Sequence, residues 1–141
     1  MSPIERSVIE RKLDSIRTNL TDVRSLIDKG IESYVKNGLD RKVMERSLQL
    51  VIEAAVDINL HVLRERFELV PDDSTKSFGM MAQNGILSIE LAEALAPSVG
   101  LRNRIVHEYD VLDAEKVFLG AEKALKLFPR YTAAILSLLG D

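Results

Sequence analysis

The chain has 141 residues, a formal net charge of -3 at pH 7, 46% hydrophobic residues and 29% charged residues. This length predicts one domain with a substantial core, and the composition excludes a disordered or membrane-spanning class. The absence of cysteine excludes disulfides, thiolate catalysis and every zinc or iron–sulfur site built on cysteine. No apolar run approaches the length of a bilayer span and no signal peptide is recognisable, so we expect a cytoplasmic location and no membrane contact.

The small negative net charge argues against a basic surface that extends over the whole molecule, as is typical of many nucleic-acid-binding domains. Binding to a nucleic acid would therefore need a local basic cleft. A dimer meets this requirement more easily than a monomer, because two subunits can bring their arginines together.

Two long amphipathic helices are predicted in the first half of the chain. The first starts at Ser2 and carries apolar residues at steps of three and four until Gly30, which is expected to end it. Residues 31–39 are expected to form a turn-rich connector. Asp40 is the predicted N-cap of the second helix, which runs to about Phe67.

The middle of the chain contains the clearest break, at residues 70–74, followed by a short helix over residues 75–83. A further helix starts near Ser88. Because Pro97 and Gly100 interrupt its apolar pattern, either this helix is kinked or a second helix begins near Pro97. We prefer the single kinked helix.

The last helix is predicted to start with Asp113 as its N-cap and to bend at Pro129. Strand-type alternation of useful length is absent from the sequence. The pattern therefore predicts an all-α bundle of four or five helices, with residues 1–141 forming a single domain.

The densest group of polar and titratable side chains is the stretch RNRIVHEY at residues 102–109. A histidine can exchange protons at neutral pH because its unperturbed pKa is about 6.5. An arginine offers fork-shaped donors to phosphate oxygens. The combination indicates acid–base chemistry on a phosphate ester.

Helical spacing separates the two side chains that this chemistry needs most. Arg102 and His107 are five residues apart, which corresponds to about 140° around an ideal helix. They can meet at one phosphate only if the helix is distorted, or if His107 of one chain works with Arg102 of a second chain across a two-fold axis. Asn103 shares the face of His107, and Tyr109 shares the face of Arg102.

The same residues also have purely structural interpretations. His107 could be a hydrogen-bonded, half-buried side chain, and spacing alone does not decide. Arg104 and Glu108 are expected to form a surface ion pair worth about 0.3–0.5 kcal/mol. His61 follows Asp57 by four residues, and we prefer a satisfied polar pair at a helix interface over a catalytic pair.

Motifs for metals and phosphate loops are absent. The two histidines form neither a His-Glu-x-x-His nor a Glu-x-x-His pattern, and no glycine-rich phosphate loop of the Walker or dinucleotide type occurs. We therefore expect no metal and no other cofactor.

The pattern Arg102-Asn103-x-x-x-His107-x-Tyr109, placed late in an all-helical chain, resembles the signature of HEPN-domain ribonucleases. More closely, the chain resembles the HepT toxins of HEPN–MNT toxin–antitoxin systems, whose motif is Arg-x4-His-x-Tyr. Length, helix order and motif position fit over essentially the whole chain. The resemblance implies an HEPN-type bundle that forms a homodimer, with the motifs of both chains lining one cleft.

The resemblance also implies a metal-independent endoribonuclease toxin of a type VII-like system that acts on cellular RNA. His107 would transfer protons as the ribose 2′-OH attacks its phosphodiester, Arg102 would neutralise the phosphorane, and Asn103 would orient the phosphate or His107. Tyr109 is the position that the partner antitoxin, an MNT-type nucleotidyltransferase, would adenylylate. The alternative is a non-catalytic helical module that dimerises or binds a nucleotide or RNA.

Overall fold

The computed structural model of the chain describes residues 5–107 and 112–140. Every regular element in these ranges is helical: α1 (Arg6–Ile27), α2 (Ile31–Lys36), α3 (Gly38–Phe67), a 3-10 turn (Ser74–Lys76), α4 (Ser77–Gln83), α5 (Ile89–Leu95), α6 (Pro97–His107) and α7 (Ala114–Leu138). The all-α prediction is confirmed for this part of the chain. The predicted count of four or five helices is too low for these ranges. One segment predicted as a connector is a helix, and one helix predicted as continuous is two helices.

The three long helices α1, α3 and α7 enclose an aliphatic core with a few aromatic rings. On α1 the buried residues Ile9, Leu13 and Ile16 recur at steps of four and three, as expected for a helix with one dry face. Helix α3 is central, because it packs against α1, α2, α4, α6 and α7. This position lets α3 support α6, which carries most of the polar motif.

Helix α3 begins earlier than the sequence analysis predicted. The side chain of Asn37 caps it by accepting a hydrogen bond of 3.0 Å from the backbone N–H of Asp40. Asp40 therefore lies in the first turn and is not the cap; its carboxylate instead accepts a hydrogen bond of 3.3 Å from Lys29 Nζ. Asparagine caps helices as well as aspartate does, so the sequence allowed both starts. The predicted end at Phe67 is confirmed.

The predicted connector over residues 31–39 is wrong, because Ile31–Lys36 forms the helix α2. Tyr34 is buried there, and its ring centroid lies 5.5 Å from that of Phe118 on α7. A six-residue helix has little stability of its own, so this tertiary contact stabilises it. The turn before α2 includes Gly30 at a φ of 87°, a left-handed conformation that favours glycine.

The single kinked helix that we preferred after residue 88 is also wrong. Ser88 caps α5 as predicted, with its hydroxyl accepting a hydrogen bond of 3.1 Å from the Leu91 N–H. Helix α5 ends at Leu95, and α6 begins at Pro97 after the single residue Ala96. Proline has no N–H with which to continue α5, yet its fixed φ suits the first position of a new helix. The second alternative from the sequence is therefore correct.

Asp113 caps α7 as predicted, accepting hydrogen bonds from the N–H groups of Glu115 and Lys116 at 3.0 and 3.3 Å. Helix α7 continues through Pro129, and the bend expected there stays a prediction. Ser2 itself lies outside the described residues, but the first helix starts later than predicted, because α1 begins at Arg6 after Glu5, which has an extended conformation. Among the described helices, none combines the length and apolar character that crossing a lipid bilayer requires.

Candidate active site

Arg102 lies on α6 where this helix packs against α3, and it forms an ion pair with Glu53. Its Nη2 and Nε lie 2.7 and 2.9 Å from the same oxygen, Oε2 of Glu53. Its Nη1 donates a hydrogen bond of 2.9 Å to Oδ1 of the neighbouring Asn103. The side chains of Arg102 and Glu53 are 33% and 31% exposed, so the pair is half-buried at the edge of the interface.

Glu53 is held from its own helix as well. Gln49, one turn earlier on α3, donates from Nε2 to Oε2 of Glu53 at 3.3 Å. A cleft of about 300 Å³ lies beside the ion pair, lined by Ile52, Glu53, Val56, Asp57, Ser74, Val99 and Arg102. The guanidinium of Arg102 is therefore fixed on one side and borders an open cleft.

His107 is exposed at the end of α6, and Arg102 is half-buried five residues earlier. The helix is α-helical over both residues, so the distorted-helix alternative is wrong for Pro97–His107. The interpretation of His107 as a half-buried residue is wrong too. In one described chain, Arg102 therefore contacts α3 whereas His107 is exposed, as expected for side chains about 140° apart on an α-helix.

Asn103 and Arg104 have different surroundings from each other. Asn103 is half-buried and bonds to Arg102. Arg104 is exposed and lies over Gly100, where an added Cβ would be 3.6 Å from its Nη1. Glu108, its predicted partner, lies outside the described residues, as does Tyr109.

The predicted pairing of Asp57 with His61 is wrong. Asp57 accepts a hydrogen bond of 2.9 Å from Lys12 Nζ on α1. His61 Nε2 accepts a hydrogen bond of 3.1 Å from the backbone N–H of Glu5. Each of the two side chains therefore forms its own hydrogen bond with the N-terminal segment. These bonds attach α3 to α1, and Asp57 and His61 do not form a catalytic pair.

Glu53 is the site residue whose contact with Arg102 the sequence analysis missed. A glutamate among the apolar residues of α3 is a weak signal for an inward-facing charge, but it names no partner. Arg46, seven residues before Glu53 on the same helix, is exposed. The described ranges contain no group of three or more His, Cys, Asp or Glu side chains placed to hold a metal ion.

Comparison with known proteins identifies the family of this fold and motif. The model of a family described as "Ribonuclease HepT-like" matches residues 16–135. The tRNA nuclease HepT of Aphanizomenon flos-aquae is 36% identical over 139 residues, which cover 99% of this chain and 95% of that protein. The mRNA nuclease HepT of Shewanella oneidensis is 34% identical over 89 residues, which cover 63% and 67% of the two chains.

A solved structure extends the similarity to three dimensions. The tri-AMPylated HEPN toxin of Shewanella oneidensis, in complex with an MNT antitoxin, matches with a TM-score of 0.85 and 26% identity. The match covers 92% of this chain and 97% of that chain. The fold is therefore HEPN-like, as the motif implied. The chain belongs to the ribonuclease HepT-like family, and it is an endoribonuclease of the kind found in toxin–antitoxin systems.

Proposed function

We propose that this chain, as a single HEPN domain, is the toxin of a type VII-like toxin–antitoxin pair, and that it cleaves cellular RNA in the cytoplasm at a site assembled from two copies. The observation that carries the two-copy site is the regular α6 helix. It holds Arg102 against α3 and leaves His107 exposed five residues later. Because one straight helix does not direct both side chains at one phosphate, a second chain has to supply the missing partner.

In the proposed reaction, His107 accepts the proton of a ribose 2′-OH as that oxygen attacks the adjacent phosphorus. The bond from phosphorus to the 5′-oxygen of the next nucleotide breaks, this oxygen takes a proton from water, and His107 then releases its proton to water. The products are a 2′,3′-cyclic phosphate and a 5′-hydroxyl end. Arg102 stabilises the charge that develops on the phosphorane oxygens. A metal ion has no role in these steps.

Asn103 supports Arg102 in this proposal. Its side-chain oxygen accepts the hydrogen bond from Arg102 Nη1, which favours a role at the phosphate over the other role considered, orienting His107. The contact restricts rotation of the guanidinium plane. An arginine fixed in advance loses less conformational entropy when phosphate oxygens bind.

Tyr109 is the proposed regulatory position. An MNT-type nucleotidyltransferase antitoxin would transfer AMP to its hydroxyl, as the AMPylated state of the Shewanella toxin in complex with its antitoxin suggests. The added nucleotide places negative charge and bulk close in sequence to His107. RNA phosphates would be repelled, and cleavage would stop.

The proposal is tested by incubating purified protein with RNA in the presence of EDTA. We expect cleavage that leaves 2′,3′-cyclic or 3′-phosphate ends, and a loss of about 100-fold or more in His107→Ala, because a positioned general base contributes that much. His61→Ala is the matched control. It removes the other histidine, whose ring bonds to the start of α1, and should keep its activity. Full activity in His107→Ala would contradict the assignment, and a requirement for a divalent cation would contradict metal-independent cleavage.

A further inference from the structure

Glu53 and Asn103 do not use all the N–H donors on the guanidinium of Arg102. Arginine carries five N–H groups, one on Nε and two on each terminal nitrogen. Glu53 accepts a hydrogen bond from Nε and lies 2.7 Å from Nη2 in the ion pair, and Asn103 accepts from Nη1. If one N–H of Nη2 is assigned to the ion pair, the described residues leave one N–H on Nη1 and one on Nη2. Two donors on adjacent nitrogens are what a bidentate contact with a phosphate requires.

The carboxylate that holds Arg102 is itself fixed. Glu53 lies on α3 next to the buried residues Ile52 and Ala54 and accepts a hydrogen bond from Gln49. At about one-third exposure, the ion pair is screened less than a pair between fully exposed side chains. Glu53 therefore restrains the orientation of the guanidinium and does not merely share a surface with it.

We propose that Glu53 is a positioning residue for RNA cleavage. It orients Arg102 so that the two remaining N–H groups meet the scissile phosphate. The inference rests on the proposed function, because it assigns a role within the same site. Glu53 acts through Arg102 and does not touch the substrate.

This role makes binding and turnover respond in opposite directions. A carboxylate beside Arg102 offsets part of its charge, so neutralising Glu53 leaves the attraction of the site for RNA phosphates undiminished or increased. The same change frees the guanidinium, which then spends less time in the reactive geometry. Small displacements of a positioned group can lower a rate by about 100-fold.

The experiment compares Glu53→Gln and Glu53→Ala with Glu65→Gln as the matched control. Glu65 also lies on α3 and is similarly exposed, but its partner is Arg64 and it does not line the cleft beside Arg102. Single-turnover cleavage at saturating RNA gives the rate constant. RNA affinity is measured with each substitution combined with His107→Ala, so that no cleavage occurs. Thermal unfolding reports whether each variant remains folded.

We expect Glu53→Ala to lower the rate constant by at least about 10-fold, and Glu53→Gln by less because an amide oxygen still accepts from Arg102. RNA affinity should be unchanged or higher in both variants, and Glu65→Gln should cleave at the wild-type rate. A purely structural role of Glu53 would lower the melting temperature, the RNA affinity and the rate constant together, and that result would overturn the inference. Failure of Glu53→Gln to fold would overturn it as well. Rates in both Glu53 variants equal to that of Glu65→Gln would also overturn it. Absence of cleavage by the wild-type chain would contradict the proposed function, and this inference with it.

Discussion

Arg102 and His107 have different surroundings that suit their different proposed tasks. Arg102 is half-buried and bonded on two sides, by Glu53 and Asn103, whereas His107 is exposed. A group that stabilises developing charge gains from a fixed orientation, because no reorganisation is then needed during the reaction. The motif residues could be named from the sequence alone. The Glu53 partner could not, because it lies 49 residues away from Arg102 and only the packing of α3 against α6 brings them together.

The chain has three tyrosines, and the burial of two of them favours the third, Tyr109, as the proposed modification site. Tyr34 and Tyr131 are 1% and 0% exposed, and burial raises the pKa of both hydroxyls above the ordinary tyrosine value. Neither can reach a nucleotidyltransferase without unfolding. An adenylylated tyrosine in the folded chain would therefore be Tyr109.

We accordingly predict that Tyr109→Phe keeps RNA cleavage but escapes neutralisation, because it has no hydroxyl to accept AMP. Intact-mass measurement of chains co-produced with an active antitoxin should show AMP increments on the wild type and none on the variant. Peptide mapping of the wild type should place AMP on Tyr109. An unmodified wild-type chain, or AMP on the Tyr109→Phe chain, would contradict this prediction.

At the scale of single helices, the sequence predicted caps well where one polar residue stood at a clear break, as at Ser88 and Asp113. The sequence predicted the wrong cap where two nearby residues could both act as the N-cap, as with Asn37 and Asp40 at the start of α3. It also failed for α2, because that helix depends on burying Tyr34 against the distant α7. The local sequence pattern does not reveal a contact between residues that lie so far apart in the chain.

The cap of α7 gives a stability prediction at this scale. Asp113→Ala removes the acceptor of two backbone N–H groups, and we expect a loss of about 1 kcal/mol in the free energy of unfolding. The melting temperature should fall by about 3 °C for a chain of this size. Asp113→Asn is the control, since asparagine caps equally well and should unfold close to the wild type. Equal destabilisation by both substitutions would assign the loss to the charge and not to the cap.

For the molecule as a whole, helical periodicity predicted the all-α class, which is confirmed for residues 5–107 and 112–140, and the family resemblance implied the HEPN-like fold, which the structural similarity confirms. That residues 1–141 form one domain, and that two copies pair, are still predictions. Sequence periodicity indicates which faces are apolar, but it does not indicate which face meets a second chain. The argument for pairing depends on the angular separation of Arg102 and His107 along a regular α6.

Mixed assembly of two inactive variants tests the two-copy site most directly. Arg102→Ala and His107→Ala chains, carrying different tags, are produced separately and together, and RNA cleavage is measured in the presence of EDTA. Each variant alone should be inactive. Random pairing of equal amounts should restore about a quarter of wild-type activity, because half of the dimers are mixed and each mixed dimer has one intact site of two. Mixed dimers that form but cleave no RNA would contradict a site that combines Arg102 of one chain with His107 of the other.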